Sequence, residues 1–240
     1  IAYNGVLINK EELREELENN GAIFQSGNAC EVMAYLIARE RLKTGSIEEA
    51  ILGVMPKLKG AFSVLVMSPQ KLLAFRDPNG MKPLALGKVE NSYMLASETC
   101  AFDSVGGSYV RDIKPGELIM IDKDGVHTYE KYCGHCSNMC VFEYIYFARP
   151  DSLIEGSSVY QARKEAGKIL AQEHPVEADL VIGVPDSGLY AAIGYAEESG
   201  IPYGMGFIKN KYIGRPFIQP LQSERENSVR IKLNALKSAV

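Results

Sequence analysis

Four short clusters combine residue types that do chemistry. Pro185-Asp186-Ser187-Gly188 joins an apolar run, Asp179 to Val184, to a helical pattern beginning at Leu189. Backbone N–H groups at a helix start point outward, and the helix dipole favours an anion there. The Ser187 hydroxyl adds a ligand for a phosphate oxygen or a metal ion. The same residues also suit an ordinary capped strand-to-helix turn. Ile208-Lys209-Asn210-Lys211-Tyr212-Ile213-Gly214-Arg215 gathers three cations and a tyrosine beside a glycine. Arg grips phosphate through two N–H groups and Lys acts as a point charge, so a loop of this kind suits closing over a polyphosphate. A solvated basic surface loop has the same composition.

Tyr3-Asn4-Gly5 offers a side-chain amide and a backbone N–H to a developing oxyanion. Asn-Gly is equally a common turn dipeptide. Cys133-Gly134-His135-Cys136-Ser137-Asn138-Met139-Cys140 is the densest group of soft ligands. Cys-x-x-Cys puts two thiolates within reach of one metal ion, with His135 or Cys140 as a third ligand. No second Cys-x-x-Cys closes a zinc site, and a linker with chance thiols or a redox pair are the alternatives.

The elements that must position these groups follow from periodicity and turn residues. Residues 1 to about 132 read as α+β. A strand is predicted over Ala2–Ile8, then a helix capped by Asn9 with Glu12 as its capping-box partner and Gly21 past its end. A second helix is predicted over about Cys30–Lys43, and Ser46 with Glu49 opens a third. Ala61 to Met67 is nearly all apolar, as a buried strand requires. Runs at 72–76, 84–86, 93–96 and 117–122, with turn residues between, predict an antiparallel meander covered by helices. From about Val141 the order becomes β, α, β, α. Ser158 with Gln161 caps a helix whose Val159, Ala162, Ala166, Ile169 and Leu170 recur at helical spacing, ending at His174-Pro175. Asp179–Val184 reads as a buried strand and Leu189 to about Ser199 as a helix with Gly200 just past it, which argues for a parallel sheet.

Composition sets bounds. The net charge is −4 and no run of five basic residues occurs, which speaks against a nucleic-acid partner. No apolar run reaches the ~18 residues of a membrane span. Five cysteines, an odd number, suit a reducing, cytoplasmic setting better than a disulfide scaffold.

Several longer stretches, in this order, resemble the glutamine phosphoribosylpyrophosphate amidotransferases. They are Arg76-Asp77-Pro78-Asn79-Gly80, Ala96 to Asp103, Cys140 to Ser152, Ala191 to Glu197, and Phe217-Ile218-Gln219-Pro220. The resemblance covers nearly the whole chain. It implies an αββα N-terminal-nucleophile glutaminase-like domain over 1–135, lacking its start, and an α/β type I phosphoribosyltransferase-like domain over 136–240, first half only. The implied activity is transfer of glutamine-derived ammonia to phosphoribosylpyrophosphate, opening purine synthesis. Asn4 and Gly5 would form the oxyanion hole. Asp186, Ser187 and Gly188 would lie in the pyrophosphate loop, with Ser187 near magnesium, and Lys209, Tyr212 and Arg215 in the closing loop. Cys140 stands where some family members ligate a 4Fe–4S cluster. A homo-oligomer, without membrane or nucleic-acid partners, is the expectation.

The departures from the family pattern bear on activity. The family's nucleophile is its own N-terminal cysteine, and Ile1 is first here, so the chain by itself is expected to be inactive. Tyr3 and Val6 flank Asn4-Gly5 where the family has His and Asn. Ala29 stands where the family has an Asp for glutamine's α-amino group. Losing such a charge-assisted hydrogen bond costs about 1.5–3 kcal/mol, roughly 10- to 150-fold in binding. Lys211 replaces Arg and Pro216 replaces Thr in the closing loop. A paralogue with a decayed glutaminase site, dependent on free ammonia or non-catalytic, is the second reading. A metal-binding module on Cys133, Cys136 and Cys140 is the third.

Overall fold

The computed structural model describes residues 1–214 and 218–239. It divides into two compact units. Unit 1 comprises 1–143 with 152–156; unit 2 comprises 144–151 with 157–240. The boundary expected at 135/136 lies inside unit 1.

Unit 1 begins with β1 (Ala2–Leu7), α1 (Lys10–Asn19), α2 (Ala29–Arg41) and α3 (Ile47–Val54), followed by β2 (Gly60–Met67) and β3 (Leu72–Arg76). Next come β4 (Ala85–Val89), β5 (Ser92–Ala96), α4 (Cys100–Asp103), β6 (Ser108–Asp112), β7 (Leu118–Asp122) and β8 (Gly125–Tyr129); β9 (Leu153–Ile154) rejoins the unit later. One antiparallel sheet has the order β1-β2-β3-β7-β8 and a second the order β5-β4-β6. Alternation along β2 decides the layering. Phe62, Val64 and Val66 join Leu13, Leu17, Val32, Leu36 and Ile51 in a core beneath α1–α3. On the other face Leu65 and Ala74 meet Leu84, Leu86 and Ile113. Ser63, the one hydroxyl in this apolar strand, donates to Pro83 O at 3.0 Å. Among the described residues the outer face of the second sheet carries a single helical turn, α4, whose Phe102 ring lies where a Gly87 Cβ would be. The described residues thus supply one helical layer, two sheets and one short outer turn of the expected αββα layering.

Two caps form as predicted and one does not. Ser46 accepts the Glu49 N–H at 3.2 Å, while the Glu49 carboxylate takes the Gly45 N–H at 3.0 Å. Ser158 accepts from Gln161 N–H at 3.3 Å. Asn9 makes no side-chain cap. Its amide instead donates to Lys57 O at 2.9 Å and accepts from Lys59 N–H at 3.0 Å, because the turn ahead of β2 offers both partners at once.

Unit 2 contains β10 (Ser157–Ser158), α5 (Val159–Glu173), β11 (Val181–Ile182), α6 (Gly188–Ser199), β12 (Tyr203–Gly204), β13 (Phe207–Lys209), α7 (Gln222–Lys232) and β14 (Leu233–Ala235). β11 pairs with β12 in parallel and β13 with β14 antiparallel. The expected strand over Asp179–Val184 is reduced to two residues, and Val184 is 54% exposed. α5 ends at His174 and α6 at left-handed Gly200, as predicted. The buried line of α5 differs from the prediction: it runs Val159, Arg163, Gly167, Ala171, while Ala166, Ile169 and Leu170 are exposed. Close packing against α6 explains the choice. A Cβ on Gly167 would stand 1.9 Å from Ala191 O, and one on Gly194 1.9 Å from Lys164 O. Glycine lets the two backbones touch, so the small-residue side faces inward rather than the more apolar one.

Candidate functional site

In unit 2 the α5–α6 pair and β13 enclose a cavity of about 360 Å³. Asp186 and Ser187 enter it from the turn that starts α6, and Lys209 enters from the end of β13. The two cationic and acidic segments singled out from sequence therefore meet: Lys209 Nζ forms an ion pair with the Asp186 carboxylate. The Pro185–Asp186 peptide is cis. Gly188 opens α6. Tyr212 is 98% exposed and Lys211 is exposed, so neither reaches the cavity in this structure. The expectation for Arg215 lies outside the described residues, as do Pro216 and Phe217.

Sequence reasoning missed Arg163, Arg149, Tyr190 and Lys232, which line the same cavity. Arg163 is buried and donates to Tyr144 O at 2.5 Å and to Ala148 O at 2.8 Å, holding the 144–148 turn to α5. The available signal was an arginine on the otherwise small and apolar i, i+4 line of α5. Lys232, from the end of α7, donates to Gly214 O at 2.7 Å. Lys209, Arg149, Arg163 and Lys232 put four cationic side chains on this wall, of which Lys209 pairs with Asp186 and Arg149 with Asp151, and the helix start adds outward N–H groups. The arrangement suits an anion with several oxygens.

In unit 1, Asn4 and Gly5 sit on β1, at an edge of the larger sheet. Asn4 is exposed, and Gly5 has φ of 139°. A Cβ on Gly5 would stand 2.0 Å from Ala61 O, so the strand pair needs glycine at this position. Tyr3 packs against the helical core, and burial raises its phenol pKa. Near by in sequence to Ala29, Glu31 organises the loop before α2. Its carboxylate accepts Gln25 N–H at 2.7 Å, Ser26 N–H at 2.8 Å and the Ser26 hydroxyl at 2.7 Å. These bonds, the Gln25 N–H first, hold its pKa below the ordinary glutamate value. Asn28 caps α2 by accepting from Cys30 N–H at 2.9 Å. Ala29 follows as the first residue of the helix and is buried.

The cysteine cluster does not converge. Among the described residues no three His, Cys, Asp or Glu side chains gather around one metal ion. Backbone bonds explain the spread. Asn138 N–H bonds Asn79 O at 2.7 Å and Cys140 N–H bonds Met81 O at 3.1 Å, laying the segment along the 79–81 turn. Cys136 is exposed, while Cys133 is half-buried and its thiol pKa is raised by burial. The described residues by themselves thus assemble neither a three-ligand metal site on Cys133, Cys136 and Cys140 nor a cluster site around Cys140. Among the described residues no helix is long and apolar enough to cross a membrane.

The glutamine amidotransferase domain family matches residues 1–104. The whole chain aligns with amidophosphoribosyltransferases from Bacillus subtilis, at 48% identity, and Archaeoglobus fulgidus, at 47%. The chain spans about half of each: 50% and 52%. The solved glutamine phosphoribosylpyrophosphate amidotransferase from B. subtilis, complexed with ADP and GMP, superposes on all of this chain with a TM-score of 0.89, covering 52% of that protein.

Proposed function

We propose that this chain, similar along its whole length to the amidophosphoribosyltransferases, carries the ammonia-releasing and sugar-phosphate-binding parts of such an enzyme. Unit 1 is then a glutaminase-type domain and unit 2 a portion of a type I phosphoribosyltransferase-type domain. The reaction is hydrolysis of glutamine to glutamate and ammonia, then displacement of pyrophosphate from phosphoribosylpyrophosphate by that ammonia, giving 5-phosphoribosylamine for purine synthesis. The observation that carries the reading is the unit 2 cavity, where Asp186, Ser187 and Lys209 meet beside Arg149 and Arg163.

Each group has a definite task in this reading. Lys209, Arg149 and Arg163 supply positive charge for the pyrophosphate, and the N–H groups opening α6 donate to its oxygens. Substrate phosphate competes with Asp186 for Lys209, which frees the Asp186 carboxylate. The Asn4 amide and the Gly5 N–H stabilise the oxyanion formed at glutamine's amide carbon. The Ser187 hydroxyl, at the start of α6, would be a protein ligand for magnesium carried on substrate phosphates. Held there, such an ion would supply charge neutralisation for the departing pyrophosphate.

The test is pyrophosphate release by the full-length protein, with glutamine or ammonium chloride as the nitrogen source. Release with either supports the phosphoribosyl half of the proposal, and release with neither ends it. Release with ammonium alone selects the second reading, a decayed glutaminase site, which buried Ala29 at the start of α2 specifically favours.

A further inference from the structure

We infer that Asp77 is a positioning residue that aims the Gly5 N–H at the open edge of β1. The inference rests on the proposed role of Gly5 as an oxyanion donor. Asp77 is 0% exposed. Its carboxylate accepts three backbone N–H groups: Phe62 at 3.1 Å, Met81 at 3.0 Å and Asn79 at 2.9 Å. Its own N–H donates to Phe62 O at 2.9 Å. Both backbone polar groups of Phe62 are thereby engaged by Asp77.

Phe62 is the residue opposite Gly5 in the β1–β2 pair. In antiparallel strands, opposed residues alternate between pairs that exchange both hydrogen bonds and pairs that exchange none. Ile8 N–H bonds Lys59 O at 2.9 Å, which marks that position as a bonded pair. Stepping along the register, Val6–Ala61 and Asn4–Ser63 fall in the bonded class, and Gly5–Phe62 in the other. The Gly5 N–H therefore points away from β2. β1 ends the sheet, so among the described strands nothing lies on that side.

This polarity needs Asp77 because regular pairing stops there. β3 ends at Arg76, and Pro78 has no N–H to give. The carboxylate stands in for the missing strand. Without it the buried Phe62 N–H loses its acceptor, and an unpaired buried N–H is strongly disfavoured. The Phe62 peptide then loses its fixed orientation, and the Val6–Ala61 and Asn4–Ser63 pairs that flank Gly5 loosen with it. Asp77 touches no reacting atom in this scheme; it acts through Phe62.

The experiment uses full-length protein labelled with 15N-glycine, comparing wild type with Asp77→Ala. The Gly5 amide resonance is expected to move and broaden in the variant, as the strand pair opposite loses its fixed orientation. The glutaminase kcat is expected to fall by about tenfold or more, toward the ~10²–10³ of a lost oxyanion donor, with KM for glutamine within about twofold. If Asp77→Ala fails to fold, Asp77→Asn, which keeps one acceptor oxygen, is measured the same way. An unchanged Gly5 resonance overturns the inference, and so does a loss of activity explained wholly by a smaller fraction of titratable active sites. If wild-type protein does not hydrolyse glutamine, the proposed role of Gly5 falls, and the Gly5 amide still decides the placement by Asp77.

Discussion

Replacing Gly167 with Ala should destabilise unit 2, although Ala is the better helix former by ~1 kcal/mol. The added Cβ would lie 1.9 Å from Ala191 O, whereas ordinary contact begins at 3.4 Å, so the two helices must part by about 1.5 Å. The obstacle is backbone on α6, which has no rotamer to change. Overpacking of a close contact costs roughly 1–3 kcal/mol, and the rigid neighbour puts this case at the upper end. Subtracting the propensity gain leaves a loss of about 2 kcal/mol. With a urea slope of about 2 kcal/mol per M, the unfolding midpoint falls by about 1 M. Ala166→Gly, one residue away on the exposed side, is the control, and it should cost only the ~1 kcal/mol of helix propensity. The effect also reaches the cavity, because α5 carries Arg163 and α6 starts at the Asp186–Ser187 turn. Affinity for phosphoribosylpyrophosphate should fall with the midpoint. A midpoint that rises or stays put in Gly167→Ala would show that the helices do not touch through their backbones.

Three further outcomes follow from individual side chains. The folded-state pKa of Glu31 is lowered, so its contribution to the 25–31 loop is present above about pH 4.3 and lost as pH falls through the folded value; amide exchange at Gln25 and Ser26 should speed up there, and Glu31→Gln should abolish that step. Ala29→Asp puts a carboxylate in the first turn of α2, where the dipole favours it. It should lower KM for glutamine in the full-length protein by about 10- to 150-fold, the value of a charge-assisted bond, and an unchanged KM would remove position 29 from the site. Lys209→Ala removes the partner of Asp186 and a phosphate-facing charge. Binding of phosphoribosylpyrophosphate at low salt should weaken by about tenfold or more, as expected for a charged hydrogen bond, and equal affinity would place the pyrophosphate elsewhere.

Local rules made many elements of both units legible. β2 is an apolar run that can only be buried, and Ser46 and Ser158 cap their helices because the acceptor, the N–H and the spacing all lie within one turn. Asn9 carries the same signature and does not cap, since its partners, Lys57 and Lys59, are distant in sequence. Strands β6 and β8 escaped notice because Ser108–Asp112 and Gly125–Tyr129 are polar edge strands with little alternation. Hydrophobicity alone points to the wrong face of α5, because the glycines at 167 and 194 let α6 approach on the other.

The sequence alone determined which segments could form strands and helices, which turns held phosphate-seeking groups, and that Asn4-Gly5 could donate to an oxyanion, because these depend on neighbours along the chain. Only the tertiary structure decided that Asp186 meets Lys209, that Arg163 faces their cavity, that the 138–140 backbone lies along the 79–81 turn, and that Asp77 engages Phe62 opposite Gly5. Those facts depend on contacts between residues far apart in sequence. Burial and hydrogen-bond satisfaction fix such contacts for the whole fold at once, and no local window contains them.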